Sequence, residues 1–178
     1  ITSELGGITP IIVVPGNWSK SDLAFQARHV ASMVAHNASF NCVAGKVLVL
    51  AKGWVQRSLF LDLVREQLRQ IPPRQAYYPG AQDRYEAFLA KYPAAEQLGT
   101  KVPGCIPWTL ISNVSPHPGE YALTEEAFCG VLAEVSLDAV TVEDLLASAV
   151  DFANQSIYGT LSCTVLVDPK TTRRCSAA

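Results

Sequence analysis

The chain has 178 residues, of which 49% are hydrophobic and 17% are charged, and its formal net charge is −2. This composition predicts one globular domain over residues 1–178 with a sizeable core, and it excludes an intrinsically disordered chain. The near-neutral charge gives no electrostatic reason to expect nucleic acid or a membrane surface as a partner. No apolar run approaches the roughly 18 to 20 residues that a membrane span requires.

The cysteines exclude two common kinds of stabilising site. Five of them, at positions 42, 105, 129, 163 and 175, are widely spaced and form no C-x-x-C pair. An odd number at such spacing argues against a disulfide framework and against a zinc site, and no other metal site is indicated. The pattern favours a reducing compartment, so we expect a cytoplasmic protein.

The first third of the chain alternates apolar runs with amphipathic segments. The run 8–14 predicts a buried strand. Ser21-Asp22 is predicted to cap a helix that has an apolar stripe at close to 3.6-residue spacing and ends near His36. A second strand is predicted at 47–51 and a second amphipathic helix at 54–70.

The remaining segments continue the same alternation. A turn at 77–80 precedes a helix with an aromatic stripe, which we interpret as packing rather than as a ligand box, and a strand follows at 106–114. A further strand is predicted at 131–137, and Thr141 with Asp144 forms a capping-box pattern that begins the next helix. A last strand is predicted at 161–167. This rhythm predicts an α/β fold with a mostly parallel sheet and flanking helices.

Two residues are candidates for covalent chemistry. Cys42 lies at the junction between a helical segment and a strand, where it is either a small buried core residue or a nucleophile presented into a cleft. Glu4 precedes the pair Gly6-Gly7 and is either a surface residue or a general base. A cysteine nucleophile with a nearby carboxylate fits a mechanism in which the thiolate attacks a carbonyl and the carboxylate later activates water.

Four motifs in a fixed order carry a family resemblance. They occupy residues 4–7 (Glu-Leu-Gly-Gly), 37–45 (around Cys42), 125–130 (Glu-Glu-Ala-Phe-Cys-Gly) and 154–161. In this order they resemble the catalytic portion of the aldehyde dehydrogenase superfamily. That family has Glu-Leu-Gly-Gly, Asn-x-Gly-Gln-x-Cys-x-Ala-Gly, Glu-Glu-Ile-Phe-Gly-Pro and Asn-x-x-x-Tyr-Gly-Leu.

The resemblance implies the catalytic-domain fold of that family and a role for each matching residue. Cys42 would be the nucleophile, and Glu4 the general base for the deacylating water. Glu126 would hold the nicotinamide ribose hydroxyls, Phe128 would lie against the nicotinamide end, and Leu5 would belong to the same cofactor-binding set. The cofactor would be NAD or NADP.

The implied reaction oxidises a small-molecule aldehyde to a carboxylic acid through a thiohemiacetal and then a thioester on Cys42. The full-length protein would be a homo-oligomer. Most of the family's cofactor-binding domain, with the asparagine that completes the oxyanion hole, precedes the Glu-Leu-Gly-Gly segment. We therefore expect this chain to be a fragment of a longer protein. By itself it should neither bind NAD(P)+ tightly nor oxidise aldehydes.

Several departures from the family pattern leave alternatives open. Ser39-Phe40-Asn41 places bulk and an amide beside the nucleophile, Cys129-Gly130 replaces Gly-Pro, and Thr160 interrupts the last motif. A non-catalytic binding or scaffold module, or another thiol enzyme such as a thiolase-like protein, stays possible on these grounds. A CoA-acylating dehydrogenase is a nearer alternative. The region 77–99 resembles an enlarged helical segment and leaves the substrate class open.

Overall fold

The computed structural model describes residues 6–176, within which six strands form one sheet. The strands are β1 (Thr9–Val13), β2 (Gly45–Ala51), β3 (Glu96–Leu98), β4 (Trp108–Val114), β5 (Val131–Leu137) and β6 (Thr164–Leu166). Their spatial order is β3-β4-β5-β2-β1-β6, and every neighbouring pair is parallel except β3 with β4. The predicted mostly parallel sheet is confirmed.

Helices connect the strands and flank the sheet. They are α1 (Lys20–Ala35), α2 (Arg57–Gln70), α3 (Ala81–Lys91), α4 (Tyr121–Thr124), α5 (Val142–Gln155) and α6 (Pro169–Ser176). Across the part of the chain that the structure describes, no helix combines the length and apolar character needed to cross a membrane.

Local side-chain hydrogen bonds determine where α1 and α5 begin. The capping box at Thr141 is confirmed, because Asp144 N–H donates to Thr141 Oγ1 and Thr141 N–H donates to Asp144 Oδ2, each at 3.0 Å. The prediction that Ser21 caps α1 was wrong. The N-cap is Ser19, whose Oγ accepts from Asp22 N–H at 3.1 Å, because only a residue three positions before Asp22 can form the reciprocal pair.

The central strands are buried on both faces, as parallel strands covered by helices must be. All seven residues of β2 and all five of β1 are buried. The aromatic residues Tyr85 and Phe88 of α3 are 4% and 3% exposed, which confirms that the stripe packs into the core. Tyr85 Oη also lies 2.9 Å from Thr109 Oγ1, so its polar end is satisfied.

The strand β3 was missed from the sequence. It has three residues, two of them polar, and it pairs at the sheet edge, antiparallel to β4. Arg65 of α2 holds it in place, with its Nη2 2.8 Å from Glu96 Oε1. A segment this short carries no periodic signal, so only its tertiary contacts define it as a strand.

Candidate functional site

The candidate site lies at the amino-terminal ends of β1 and β2, two neighbouring interior strands of the sheet. Their register pairs Thr9 with Gly45, so the turn that precedes β2 lies beside the start of β1. Thr9 Oγ1 donates a hydrogen bond to the backbone oxygen of Cys42 at 2.9 Å. The Cys42 backbone is therefore anchored to the sheet while its residue stays partly exposed.

The turn before Cys42 has an unusual backbone. Asn37, Ala38 and Ser39 have φ values of 49°, 55° and 66°, the left-handed region that residues other than glycine rarely adopt. Asn37 closes the turn, since its Nδ2 donates to Phe40 O at 3.1 Å and its own carbonyl accepts from Phe40 N–H at 3.0 Å. A strained turn persists only where surrounding contacts fix it.

Asn41, directly before Cys42, forms side-chain hydrogen bonds within the loop. Its Nδ2 donates to His36 O at 2.9 Å, and its Oδ1 accepts from Val43 N–H at 2.9 Å. These bonds connect the chain on both sides of Cys42. The amide that departs from the family pattern at this position therefore stabilises the turn.

Glu126 reaches the start of β1 from the other side. Gly7 N–H donates to Glu126 Oε2 at 3.3 Å, across 119 positions of sequence. Gly6 has φ +142°, and a Cβ at this position would come within 2.6 Å of the same carboxylate oxygen. The glycine pair therefore forms a cradle that the Glu126 carboxylate fills.

The last motif, residues 154–161, packs against the same glycines. Ile8 N–H donates to Tyr158 O at 2.9 Å, and Tyr158 N–H donates to Leu123 O at 2.9 Å. Gly159 has φ +94°, and a Cβ there would lie 2.7 Å from Gly7 Cα. Close backbone approach thus requires glycine at Gly159, and the first, third and fourth motifs meet here.

An aromatic cluster of Phe40, Tyr77, Tyr78 and Phe128 joins the second motif to the third. The ring centroid of Phe128 is 4.8 Å from that of Tyr78 and 6.4 Å from that of Phe40. Tyr77 packs edge-on against Phe40 at 4.8 Å. Tyr77 and Tyr78 are 58% and 45% exposed. From the sequence these two tyrosines appeared only as part of a turn, because nothing local relates them to Cys42.

Lys46 is a site residue that sequence reasoning missed. It is 4% exposed at the start of β2, and its Nζ donates to Ser39 O at 2.8 Å and to Ser39 Oγ at 2.6 Å. Burial lowers the pKa of Lys46 to about 8, against the electrostatic attraction of Cys129, Glu126 and Cys42. The available signal was a lysine inside an otherwise wholly apolar strand.

Cys129, the second cysteine of the site, is expected to be unreactive. Cys129 is fully buried, and burial raises the pKa of its thiol to about 11, with Lys46 and Arg84 acting in the opposite direction. At neutral pH it is a thiol, so it competes poorly as a nucleophile. Cys42 is the more accessible of the two.

The sequence-predicted residues divide into two groups. The structure describes Cys42, Glu126 and Phe128, which contact Thr9, Gly7 and Phe40 respectively, whereas Glu4 and Leu5 lie outside the described residues. Within residues 6–176, no group of three or more His, Cys, Asp or Glu side chains is arranged to hold a metal ion.

The opposite end of the sheet has a different character. A cavity of about 590 Å³ lies beyond the carboxyl ends of β2, β4 and β5. Lys52, Arg57, His117 and Asp138 are among its lining residues, and no sequence-predicted site residue is. This cavity is therefore separate from the described residues of the site motifs.

Comparisons with known proteins bear on the fold. Neither the protein-family models nor the curated proteins give a match. Among solved structures, an NAD-dependent aldehyde dehydrogenase from Sinorhizobium meliloti superposes with a TM-score of 0.74 and 22% identity, over 98% of this chain and 35% of that one. Lactaldehyde dehydrogenase from Escherichia coli gives 0.70 and 22%, over 98% and 37%.

A third match has a cofactor in its structure. NADP-dependent glyceraldehyde-3-phosphate dehydrogenase from Bacillus halodurans, complexed with NADP, gives a TM-score of 0.73 and 19% identity, over 97% of this chain and 36% of that one. The chain thus has the fold that these dehydrogenases adopt over part of their length. It spans about a third of each.

Proposed function

We propose that this chain is the catalytic portion of an NAD(P)-dependent aldehyde dehydrogenase that oxidises an aldehyde to a carboxylic acid. The observation that supports this most strongly is that distant sequence motifs lie close together in space. Motifs that are far apart in the sequence meet at one end of a sheet whose fold matches solved aldehyde dehydrogenases. Random motif matches would have no reason to gather in this way.

Cys42 is the proposed nucleophile. Its thiolate adds to the carbonyl carbon of the aldehyde, a C–S bond forms, and the carbonyl oxygen takes up the negative charge of a thiohemiacetal. The backbone N–H of Cys42 would donate to that oxygen, an interaction that strengthens only as the charge develops. The hydrogen bond from Thr9 to Cys42 O holds this backbone in place.

Glu126 and Phe128 are the proposed cofactor contacts. A ribose diol offers two O–H donors, and a carboxylate held at the Gly6-Gly7 cradle is a suitable acceptor for them. Phe128, partly buried beside Tyr78, offers an aromatic face for a flat ring. When bound, NAD(P)+ supplies the acceptor for the hydride that leaves the thiohemiacetal carbon. These residues therefore fit the nicotinamide half of the cofactor.

Glu4 is the proposed base for the second half-reaction. Its carboxylate takes a proton from water, the resulting hydroxide adds to the thioester carbon, and the C–S bond breaks to release the carboxylic acid and the Cys42 thiolate. Leu5, beside it, is proposed to line the cofactor end of the cleft. Because the chain spans only about a third of the matched dehydrogenases, the activity is proposed for the whole protein, and the 178-residue chain alone is proposed to be inactive.

The test is an assay of the full-length protein with NAD+ or NADP+ and a panel of aldehydes. Cys42→Ser should abolish turnover, and Glu4→Gln should give a burst of reduced cofactor followed by slow acid release. Full activity in Cys42→Ser would contradict the proposal. Turnover by the 178-residue chain alone would contradict its proposed inactivity.

Two alternatives make different predictions in the same assay. A CoA-acylating dehydrogenase would release acyl-CoA faster when CoA is added, and Glu4→Gln would not slow it. A non-catalytic binding or scaffold module, suggested by the departure of Ser39-Phe40-Asn41 from the family pattern, would show no turnover with either cofactor. The homo-oligomeric assembly and the cytoplasmic location expected from the sequence stay predictions.

A further inference from the structure

Lys46 is buried without a hydrogen bond to any carboxylate among the described residues. It is 4% exposed, and both of its hydrogen bonds are to Ser39, whose hydroxyl and carbonyl are neutral acceptors. Burying an ammonium group away from water is costly unless it is well compensated. A methionine or leucine would fill the same strand position without this cost, so packing alone does not account for a lysine here.

The two hydrogen bonds act on the strained turn. Ser39 is fully buried with φ 66°, and its carbonyl receives the 2.8 Å bond from Lys46 Nζ. Ser39 is three positions before Cys42. The ammonium therefore fixes the end of the turn that determines where the Cys42 backbone lies.

The charge of Lys46 acts on the groups around it. Among the described residues, Cys42, Glu126 and Cys129 are the titratable groups that interact electrostatically with Lys46, and Arg84 of α3 acts on Cys129. Since the pKa of Lys46 is lowered only to about 8, its amine is protonated at neutral pH. Cys129 stays a neutral thiol in that range, so among the described residues Glu126 and Cys42 are the remaining titratable groups on which this charge acts.

We propose that Lys46 is a positioning residue for Cys42, holding the Ser39 turn by hydrogen bonds and stabilising the Cys42 thiolate by its positive charge. A nearby cation is a general means of making a cysteine reactive. The inference rests on the proposed function for the role of Cys42 as nucleophile. It does not depend on the cofactor or on the aldehyde.

The experiment measures alkylation of Cys42 by iodoacetamide across pH 5.5–10, read by mass spectrometry of the Cys42 peptide. The variants are Lys46→Gln, which keeps a donor but loses the charge, and Lys46→Arg, which keeps the charge. Lys52→Gln is the matched control, since Lys52 lies just beyond the other end of β2 with its side chain 66% exposed. The fully buried Cys129 reports folding, because its peptide should stay unmodified in a folded variant.

In Lys46→Gln we expect Cys42 alkylation to be about three- to tenfold slower at pH 7, with the difference vanishing above about pH 8.5. The wild-type protein loses its own Lys46 charge in that upper range, so the two curves should converge. Lys46→Arg and Lys52→Gln should follow the wild-type curve.

A purely structural role would slow alkylation by the same factor at every pH, and that result would overturn the proposal, as would identical wild-type and Lys46→Gln curves. If Cys129 becomes reactive in Lys46→Gln, Lys46→Met replaces it, because an apolar side chain fills the buried position without an unpaired donor. A shifted alkylation curve without dehydrogenase turnover by the full-length protein would refute the proposed function alone. Turnover with an unshifted curve would refute only the role of Lys46.

Discussion

The two ends of the sheet each hold a cation, buried Lys46 at one and partly buried Arg57 at the other, and they compensate it in opposite ways. At the carboxyl end, Arg57 meets the fully buried Glu134 at 2.9 Å, and Ser136 and Asn113 accept its remaining bonds at 2.7 Å and 3.1 Å. At the amino end, Ser39 is the only described residue to which Lys46 is hydrogen-bonded. A fully paired charge stabilises one arrangement, whereas an incompletely paired one is available to act on its neighbours.

This difference indicates that the carboxyl end of the sheet contributes to stability, whereas the amino end carries the candidate reactive groups. The Glu134 carboxylate also accepts from Asn113 N–H at 2.8 Å, which ties β4 to β5 where the register of their pairing shifts. At the amino end the charged groups instead surround Cys42, the most accessible thiol of the site. We expect mutations at the two ends to change different properties.

The largest effect is expected from Arg57→Leu. Removing the guanidinium leaves the Glu134 carboxylate charged and unpaired inside the protein, which should lower the free energy of unfolding by about 3 to 5 kcal/mol. Denaturant unfolding of the 178-residue chain measures this. The double variant Arg57→Leu with Glu134→Leu should recover most of the loss, and a single-variant loss below about 1 kcal/mol would show that the pair is not the main contributor.

A somewhat smaller effect is expected from Gly159→Ala at the amino end. The new methyl group would lie 2.7 Å from Gly7 Cα and would also force alanine into φ +94°, so we expect a loss of about 2 to 4 kcal/mol in unfolding free energy. Gly119→Ala is the control, because Gly119 has φ +87° but nothing within 4 Å of its Cβ position. Equal losses in the two variants would mean that the close approach to Gly7 contributes nothing.

The smallest effect is a pH dependence that Lys46 should impose on stability. Burial lowers the pKa of Lys46 from 10.5 to about 8, so between these values the unfolded chain binds a proton that the folded chain does not. Stability should therefore rise with pH across this window, by up to about 3 kcal/mol, relative to Lys46→Met.

The comparison with Lys46→Met is necessary because Cys129 contributes a pH dependence of stability with the opposite sign. The raised pKa of its buried thiol, about 11 against 9.0, means that the unfolded state loses this proton first, so stability falls between those values. Both proteins contain Cys129, so its contribution cancels in the difference except for the part by which the Lys46 charge lowers the Cys129 pKa. A flat difference between pH 7 and 10.5 would show that the Lys46 ammonium is solvated, contrary to its burial.

The sequence by itself determined the features that depend on neighbouring residues. The strand 131–137 was predicted with its observed bounds, and the capping box at Thr141 was predicted with its partner, because apolar runs and caps act over a few positions. The same local reasoning placed the cap of α1 two residues late, since Ser19 and Ser21 differ only in their spacing to Asp22.

Tertiary structure decided what surrounds Cys42. Lys46 was invisible as a site residue because its hydrogen bonds depend on the left-handed turn at Ser39, and its electrostatic attraction to Glu126 joins distant parts of the chain. Gly7 and Glu126 are 119 positions apart, and the strand order β5-β2-β1 brings the segments that precede β1 and β5 to the same end of the sheet. The motifs could be identified from the sequence. Which side chains share one electrostatic environment is determined by contacts between residues that are distant in the sequence.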